Sequence, residues 1–384
     1  MTHYPHLLDQ FRQLVATPSV SSTSPSWDQG NRDVIDLLAQ WLSDLGFKIE
    51  IQTLADPAKA NMIATLGTGP GGLVLAGHTD TVPFNEERWS SNPLRLNERN
   101  NRLYGLGSTD MKGFFPIAIE AVKSALDKPL RQPLIILATA DEESSMNGAR
   151  ALAEAGRPLA RHAIIGEPTG LRPVRMHKGI MMESVQITGR SGHSSNPELG
   201  NSALEGMHAV MTDLLSFREQ IQQRFNNPFF DIAIPTLNLG CIHGGDSPNR
   251  ICGQTELHFD LRLTPGCDNE AIREEICQRL DSIAKQRKLD IQLSSLISGV
   301  EPYEQAADSD LVLAAEKLTG HRAGAVAFAT EAPYLQQMGM ETIILGPGNI
   351  DRAHQPDEYI ELDQVQPCIE LLRAFIRQFC LQAQ

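Results

Sequence analysis

Apolar residues recur at helical spacing between Asn31 and Leu45 (Val34, Ile35, Leu37, Leu38, Trp41, Leu42, Leu45), with Gly46 placed to end the helix. Short β-rich runs follow at 47–54, 61–66 and 73–76. The pattern then predicts a helix over 114–126, a buried strand over 134–140, a short helix over 149–155 and another buried strand over 163–166. Strands apolar on both faces and interleaved with helices argue for a layered α/β sheet.

Between about 181 and 290 the texture changes. Residues 182–189 alternate like a half-exposed strand, and 202–225 read as a long amphipathic helix. Strands at 237–241 and 255–263, a helix over 269–287 and a strand at 291–296 complete the order β-α-β-β-α-β. A helix at 310–318, strands at 325–328 and 342–345, and a helix from Asp363 restore the first texture. The expected fold is therefore a layered α/β catalytic domain with a central mixed sheet (1–180 and 291–384). A ferredoxin-like α+β domain (181–290) interrupts it.

Composition removes several function classes. The 384 residues carry 33 Lys plus Arg against 47 Asp plus Glu, a formal net charge of −14. That balance repels a phosphate backbone, and no basic run offsets it, so nucleic acid is not an expected partner. No apolar stretch reaches the ~18–20 residues of a membrane helix, and residues 1–11 lack the pattern of a signal peptide. Six cysteines, none in a Cys-x-x-Cys pair, fit reduced thiols in a cytoplasm better than a disulfide framework or a thiolate metal site. Metal chemistry would have to use His and carboxylates.

Such residues recur at strand ends. His78-Thr-Asp80 follows the apolar run 73–76. Asp110 sits in the turn Gly105-Leu-Gly-Ser-Thr-Asp110-Met-Lys-Gly113, ahead of a helix. Asp141-Glu142-Glu143 follows the strand at 134–140, Glu167 follows 163–166, and a glycine-rich loop after 342–345 delivers His354. Each alone has a plainer reading, as a satisfied histidine, a helix cap or a solvated acidic loop. Their recurrence in one α/β domain changes the weighing, because parallel strands of one sheet end on one edge. Two imidazoles and several carboxylates suit two divalent cations such as zinc, cobalt or manganese. The Gly105-x-Gly107 pair is no dinucleotide fingerprint, and H-E-x-x-H and G-x-S-x-G do not occur.

With the stretches GEPTGLRPVRMHKG, SGHSSNP, PTLNLGCIHGGDSPNRICG and ELHFDLRLTPG, these motifs resemble the di-zinc exopeptidase and aminoacylase family over essentially the whole chain. That family includes glutamate carboxypeptidases, succinyl-diaminopimelate desuccinylases and acetylornithine deacetylases. The resemblance implies an amidohydrolase acting on a small acyl-amino acid, with two divalent ions (Zn2+ or Co2+) per chain. It implies that His78 and Glu167 hold one ion, Glu143 and His354 the other, and that Asp110 bridges them. Asp80 would orient His78, and Glu142 would be the general base. His193 would contact the substrate carbonyl, and Asn249 and Arg262 its carboxylate end. It further implies a cis Asp110–Met111 bond, and a homodimer formed through the inserted domain.

Overall fold

The computed structural model describes residues 5–381; the few outermost positions of the expected catalytic domain lie outside that range. The described residues form two compact units, one comprising 5–175, 305–324 and 331–381, the other 176–304 and 325–330. Each unit has its own apolar core. The second unit begins and ends outside 181 and 290, because the strands Gly179–Thr188 and Asp290–Ser295 belong whole to its sheet.

The sheet of the first unit runs in the order Lys48–Thr53, Ala60–Leu66, Leu134–Thr139, Leu73–His78, His162–Pro168 and Glu341–Gly346, with Val174 paired to Ile344 on its outer side. Its middle is parallel: Leu73–His78 pairs with Leu134–Thr139 and His162–Pro168, which in turn pairs with Glu341–Gly346. The flanking pairs are antiparallel, so the sheet is mixed. Leu73–His78, Leu134–Thr139 and His162–Pro168 are buried at every position. That is the burial expected of parallel strands covered on both faces by helices, and it explains why they read as continuous apolar runs.

Helix Arg32–Asp44 buries Val34, Ile35, Leu38, Trp41 and Leu42, and Gly46 ends it with a φ of 87°. Helix Phe114–Val122 is buried nearly all round. The hydrophobic pattern did not predict helix Leu7–Ala16, or the small sheet of Asn97–Arg99, Arg102–Tyr104 and Tyr359–Glu361. Strands this short are set by the loops they join more than by their own residues.

The second unit carries the expected ferredoxin-like order. Its antiparallel sheet runs Thr236–Gly244, Gln254–Leu263, Gly179–Thr188, Asp290–Ser295. Helices Ala203–Arg224 and Asn269–Arg287 give it a core around Val210, Leu214, Phe217, Ile272 and Ile276. No described helix is long and apolar enough to cross a membrane, and all six cysteines are free thiols.

Candidate metal centre

The four parallel strands end on one edge, and that edge is where the acids and histidines gather. His78 is the last residue of its strand and pairs with Thr139, the last residue of the neighbouring one. On the other side Ala76 pairs with Ile165, so His78 and Glu167 each stand two residues beyond that pair. Glu142 and Glu143 follow Thr139, and the loop after Gly346 delivers His354. Gly166 is required beside Glu167, because a Cβ there would fall 2.2 Å from the Phe114 ring.

Asp110 is the hub. Its Oδ1 lies 3.1 Å from His78 Nε2 and its Oδ2 lies 3.3 Å from His354 Nε2. His78 Nε2 is also 3.6 Å from Glu167 Oε1, and His354 Nε2 is 3.0 Å from Glu143 Oε2. The five expected ligands are thus brought together. The Asp110–Met111 bond is cis, as expected.

Asp80 serves two neighbours at once. The Nδ1 of His78 faces the Asp80 backbone carbonyl at 3.0 Å and its carboxylate at 3.6 Å. The same carboxylate accepts the backbone N–H groups of Glu142 and Glu143, at 3.3 and 3.0 Å. Glu142 lies closer to the cluster than a bystander would. Together with His78 and Glu167 it forms a second group whose donor atoms are within 4.8 Å of one another, beside the group of His78, Asp110 and Glu143.

The charges explain why this arrangement wants cations. Glu142, Glu143 and Glu167 are held above the usual carboxylate range, first by burial and then by one another's charge and that of Asp110. Burial alone would lower His78, yet hydrogen bonds with Asp110 and Asp80 carry it well above its ordinary value. Hydrogen bonds to Asp110 and Glu143 raise His354 to about 10. Four carboxylates around two imidazoles are costly unless cations balance them. Donor atoms 3.0–3.6 Å apart match the spacing of ligands that share an ion ~2.0–2.2 Å away. The donor set fits a pair of divalent ions.

Several residues that build the site were not anticipated. Glu358, fully buried, accepts the backbone N–H groups of Gly107, Thr109 and Asp110 at 3.0, 2.8 and 3.0 Å, fixing the turn that presents Asp110. Burial and the nearby Asp110 charge raise its carboxyl to about 8. Lys59 Nζ pairs with Asp141 Oδ1 at 2.7 Å and Asp28 Oδ2 at 2.8 Å, anchoring the loop that carries Glu142 and Glu143. Glu331, buried, accepts from the Thr139 hydroxyl at 2.9 Å. Only Glu358 had a visible signal, as the last residue of the AHQPDE loop.

His354 leaves one flank open, with more than half of its side chain exposed. A cavity of about 730 Å³ adjoins it, lined by Trp27, Phe84, Trp89, Gln355 and Pro356 among others, a size that suits a small-molecule ligand.

His193, Asn249 and Arg262 lie in the second unit. His193 pairs across a short two-strand ladder with Arg250, and the Ser194 N–H donates to the Asn249 carbonyl at 3.1 Å, so His193 and Asn249 are neighbours. The His193 ring is exposed, with Nδ1 2.7 Å from the Ser195 hydroxyl. Arg262 stands apart from them on strand Gln254–Leu263, where Nε donates to Asp260 Oδ2 at 3.0 Å.

The model of peptidase family M20/M25/M40 matches residues 74–378. An acetylornithine deacetylase of Edwardsiella ictaluri is 48% identical over 380 residues, covering 99% of each chain. Among solved structures, the M20 family metallo-carboxypeptidase Sso-CP2 of Sulfolobus solfataricus superposes with a TM-score of 0.75 at 17% identity, covering 98% of this chain and 99% of that one. The YXEP protein of Bacillus subtilis, described as a dinuclear metal-binding peptidase, gives 0.67 at 13% identity and covers 97% and 98%. On the family match and the near-full-length relative, the chain belongs to peptidase family M20/M25/M40 and is a metal-dependent hydrolase of amide bonds.

Proposed function

We propose that this chain hydrolyses N2-acetyl-L-ornithine to L-ornithine and acetate, in arginine biosynthesis in the cytoplasm. Two divalent ions, zinc or cobalt, would be held by His78 with Glu167 and by His354 with Glu143, and Asp110 would bridge them. The observation that carries this reading is Asp110 itself, with one carboxylate oxygen toward each imidazole. The choice of substrate rests on the relatives named acetylornithine deacetylase.

When bound, the ions would lower the pKa of a water and polarise the acetyl carbonyl. Glu142 would act as base and then acid. Its carboxylate takes a proton from the water that adds to the acyl carbon, then gives it to the α-nitrogen as the C–N bond breaks. Burial and neighbouring acids, which raise the Glu142 carboxyl, favour holding that proton between the two steps. Asp80 supports both partners, through the His78 ring and the backbone of Glu142.

His193 would stabilise the oxyanion that develops on the acyl oxygen. Asn249 and Arg262 would bind the substrate carboxylate, Arg262 exchanging Asp260 for it. The second unit would serve as lid and dimerisation domain. Its outer strand Thr236–Gly244 supports that role, since most of it is exposed, Ile242 included; such an edge invites pairing with another chain.

Initial rates on acetylornithine, succinyl-diaminopimelate and a dipeptide, with zinc and with cobalt, test the proposal. It expects kcat/KM at least tenfold higher for acetylornithine. A tenfold preference for the succinyl substrate overturns it.

A further inference from the structure

The central sheet has a second edge, at the beginnings of its parallel strands. There His162 and Glu341, the first residues of strands His162–Pro168 and Glu341–Gly346, pair in register. Asp310, the first residue of helix Asp310–Thr319, completes a group whose donor atoms all lie within 4.8 Å of one another. His162 and Glu167 occupy opposite ends of one strand, so this group is remote from the Asp110 cluster.

Two observations on His162 point to a ligand. Its side chain is 4% exposed, and neither ring nitrogen has a hydrogen-bond partner among the described residues. Buried polar groups are nearly always paired, so an imidazole left without a partner needs a cause. Its Nε2 faces Glu341 Oε2 at 3.8 Å. That is too long for a hydrogen bond, and close to the separation of two donors sharing an ion ~2.0–2.2 Å away. The ring packs on Phe379 with centroids 4.3 Å apart, and Glu341 Oε2 accepts from the Leu311 N–H at 3.1 Å, so both donors are already oriented.

The group is reachable and has a built-in competitor. His162 and Asp310 line a groove of about 490 Å³. Arg161 Nη2 lies 2.7 Å from Asp310 Oδ2 and 3.7 Å from Glu341 Oε1, where it neutralises both acids. More than half of the Arg161 side chain is exposed, so it can turn into solvent when another cation takes its place.

We infer that His162, Glu341 and Asp310 form a separate divalent-cation site that ties two strands of the sheet to helix Asp310–Thr319. One imidazole with two carboxylates suits zinc, cobalt or manganese. Arg161 is the cation displaced on binding.

Metal content of the full-length protein, dialysed against buffered free zinc and counted by elemental analysis, tests the site. Wild type is expected to hold one more ion per chain than His162→Ala or Glu341→Gln, with hydrolytic rates unchanged in both variants. Arg161→Gln is expected to bind that extra ion at least fivefold more tightly. Since His162→Ala opens a void beside Phe379, the nearly isosteric Glu341→Gln decides if the former does not fold. The comparison is a difference of one ion, so it stands whether or not the Asp110 cluster is filled, and repeating it in an Asp110→Ala background separates the two. Equal metal content in wild type and Glu341→Gln overturns the inference.

Discussion

Glu358 Oε1 accepts the backbone N–H of Asp110 at 3.0 Å, across 248 residues of chain. The same carboxylate takes the N–H groups of Gly107 and Thr109, so one acid shapes the turn that presents the shared carboxylate. Gly107 adopts the φ of 77° that this turn needs. Glu358→Ala would leave three buried donors unpaired, at ~1–3 kcal/mol for each that water cannot reach. It is expected to lower stability by at least ~2 kcal/mol and to weaken metal binding ~10–100-fold, as loss of a ligand-supporting partner does. Urea denaturation and metal titration check the two effects separately.

Lys59 stabilises the acidic loop by charge. Asp141, at a left-handed φ of 62°, has its carboxylate on Lys59 and on the Ser21 hydroxyl. Removing one partner of a buried pair costs about 3–5 kcal/mol. Lys59→Met is expected near the lower figure, because the Asp28 side of the network opens to solvent. Adding Asp141→Asn is expected to recover part of the loss, measured by urea midpoints at pH 7.

Lys112 gives a pH signature. Its side chain is fully buried, Nζ donates to the Thr17 carbonyl at 2.9 Å, and burial lowers its pKa to about 7. The unfolded chain therefore binds more protons than the folded one between about pH 7 and 10.5, and this group's contribution to stability rises with pH across that window. It is lost progressively as pH falls from about 10.5 and is gone once pH reaches about 7. Lys112→Met, which carries no proton, is expected to gain on wild type at pH 6 and to lose that advantage by pH 10. Paired thermal melts across the range check it; a difference independent of pH contradicts it.

What could be read from the chain, and what could not, divides along a physical line. His78, Glu143, Glu167 and His354 were legible because each follows an apolar strand run, and parallel strands deliver their ends to one edge. The ferredoxin-like unit was legible because its long strands alternate and its two long helices keep apolar residues at helical spacing, while its two-residue strands Gly192–His193 and Arg250–Ile251 left no such mark. Lys59 and Glu331 were not, and Glu358 showed only as the end of the AHQPDE loop, without its partners. Their partners lie on segments distant in the chain, and a buried acid or lysine carries no periodic mark of the backbone groups or charges it meets. His162 was missed for the same reason, since its surroundings come from a helix and a strand more than a hundred residues further on.

The second unit's residues separate by effect. His193→Ala is expected to cut kcat strongly and to leave metal content unchanged, as for a contact made mainly in the transition state. Arg262→Ala is expected to raise KM more than it lowers kcat if it binds the substrate carboxylate as proposed, and its ion pair with Asp260 is partly exposed and contributes little to stability. Steady-state kinetics beside elemental analysis distinguish these outcomes; unchanged kcat in His193→Ala reduces that residue to a structural part.

The division between Glu142 and Glu143 is the centre of this account, since both carboxylates lie within reach of the histidines. The most direct measurement is metal content and turnover of Glu142→Gln side by side. The amide keeps the shape of the side chain and cannot accept the water's proton. If Glu142 is the base and not a ligand, kcat falls by ~10³-fold or more, within what a base with no substitute supplies, and two ions per chain are retained. Loss of metal with activity largely kept would make Glu142 the ligand, and would contradict the assignment.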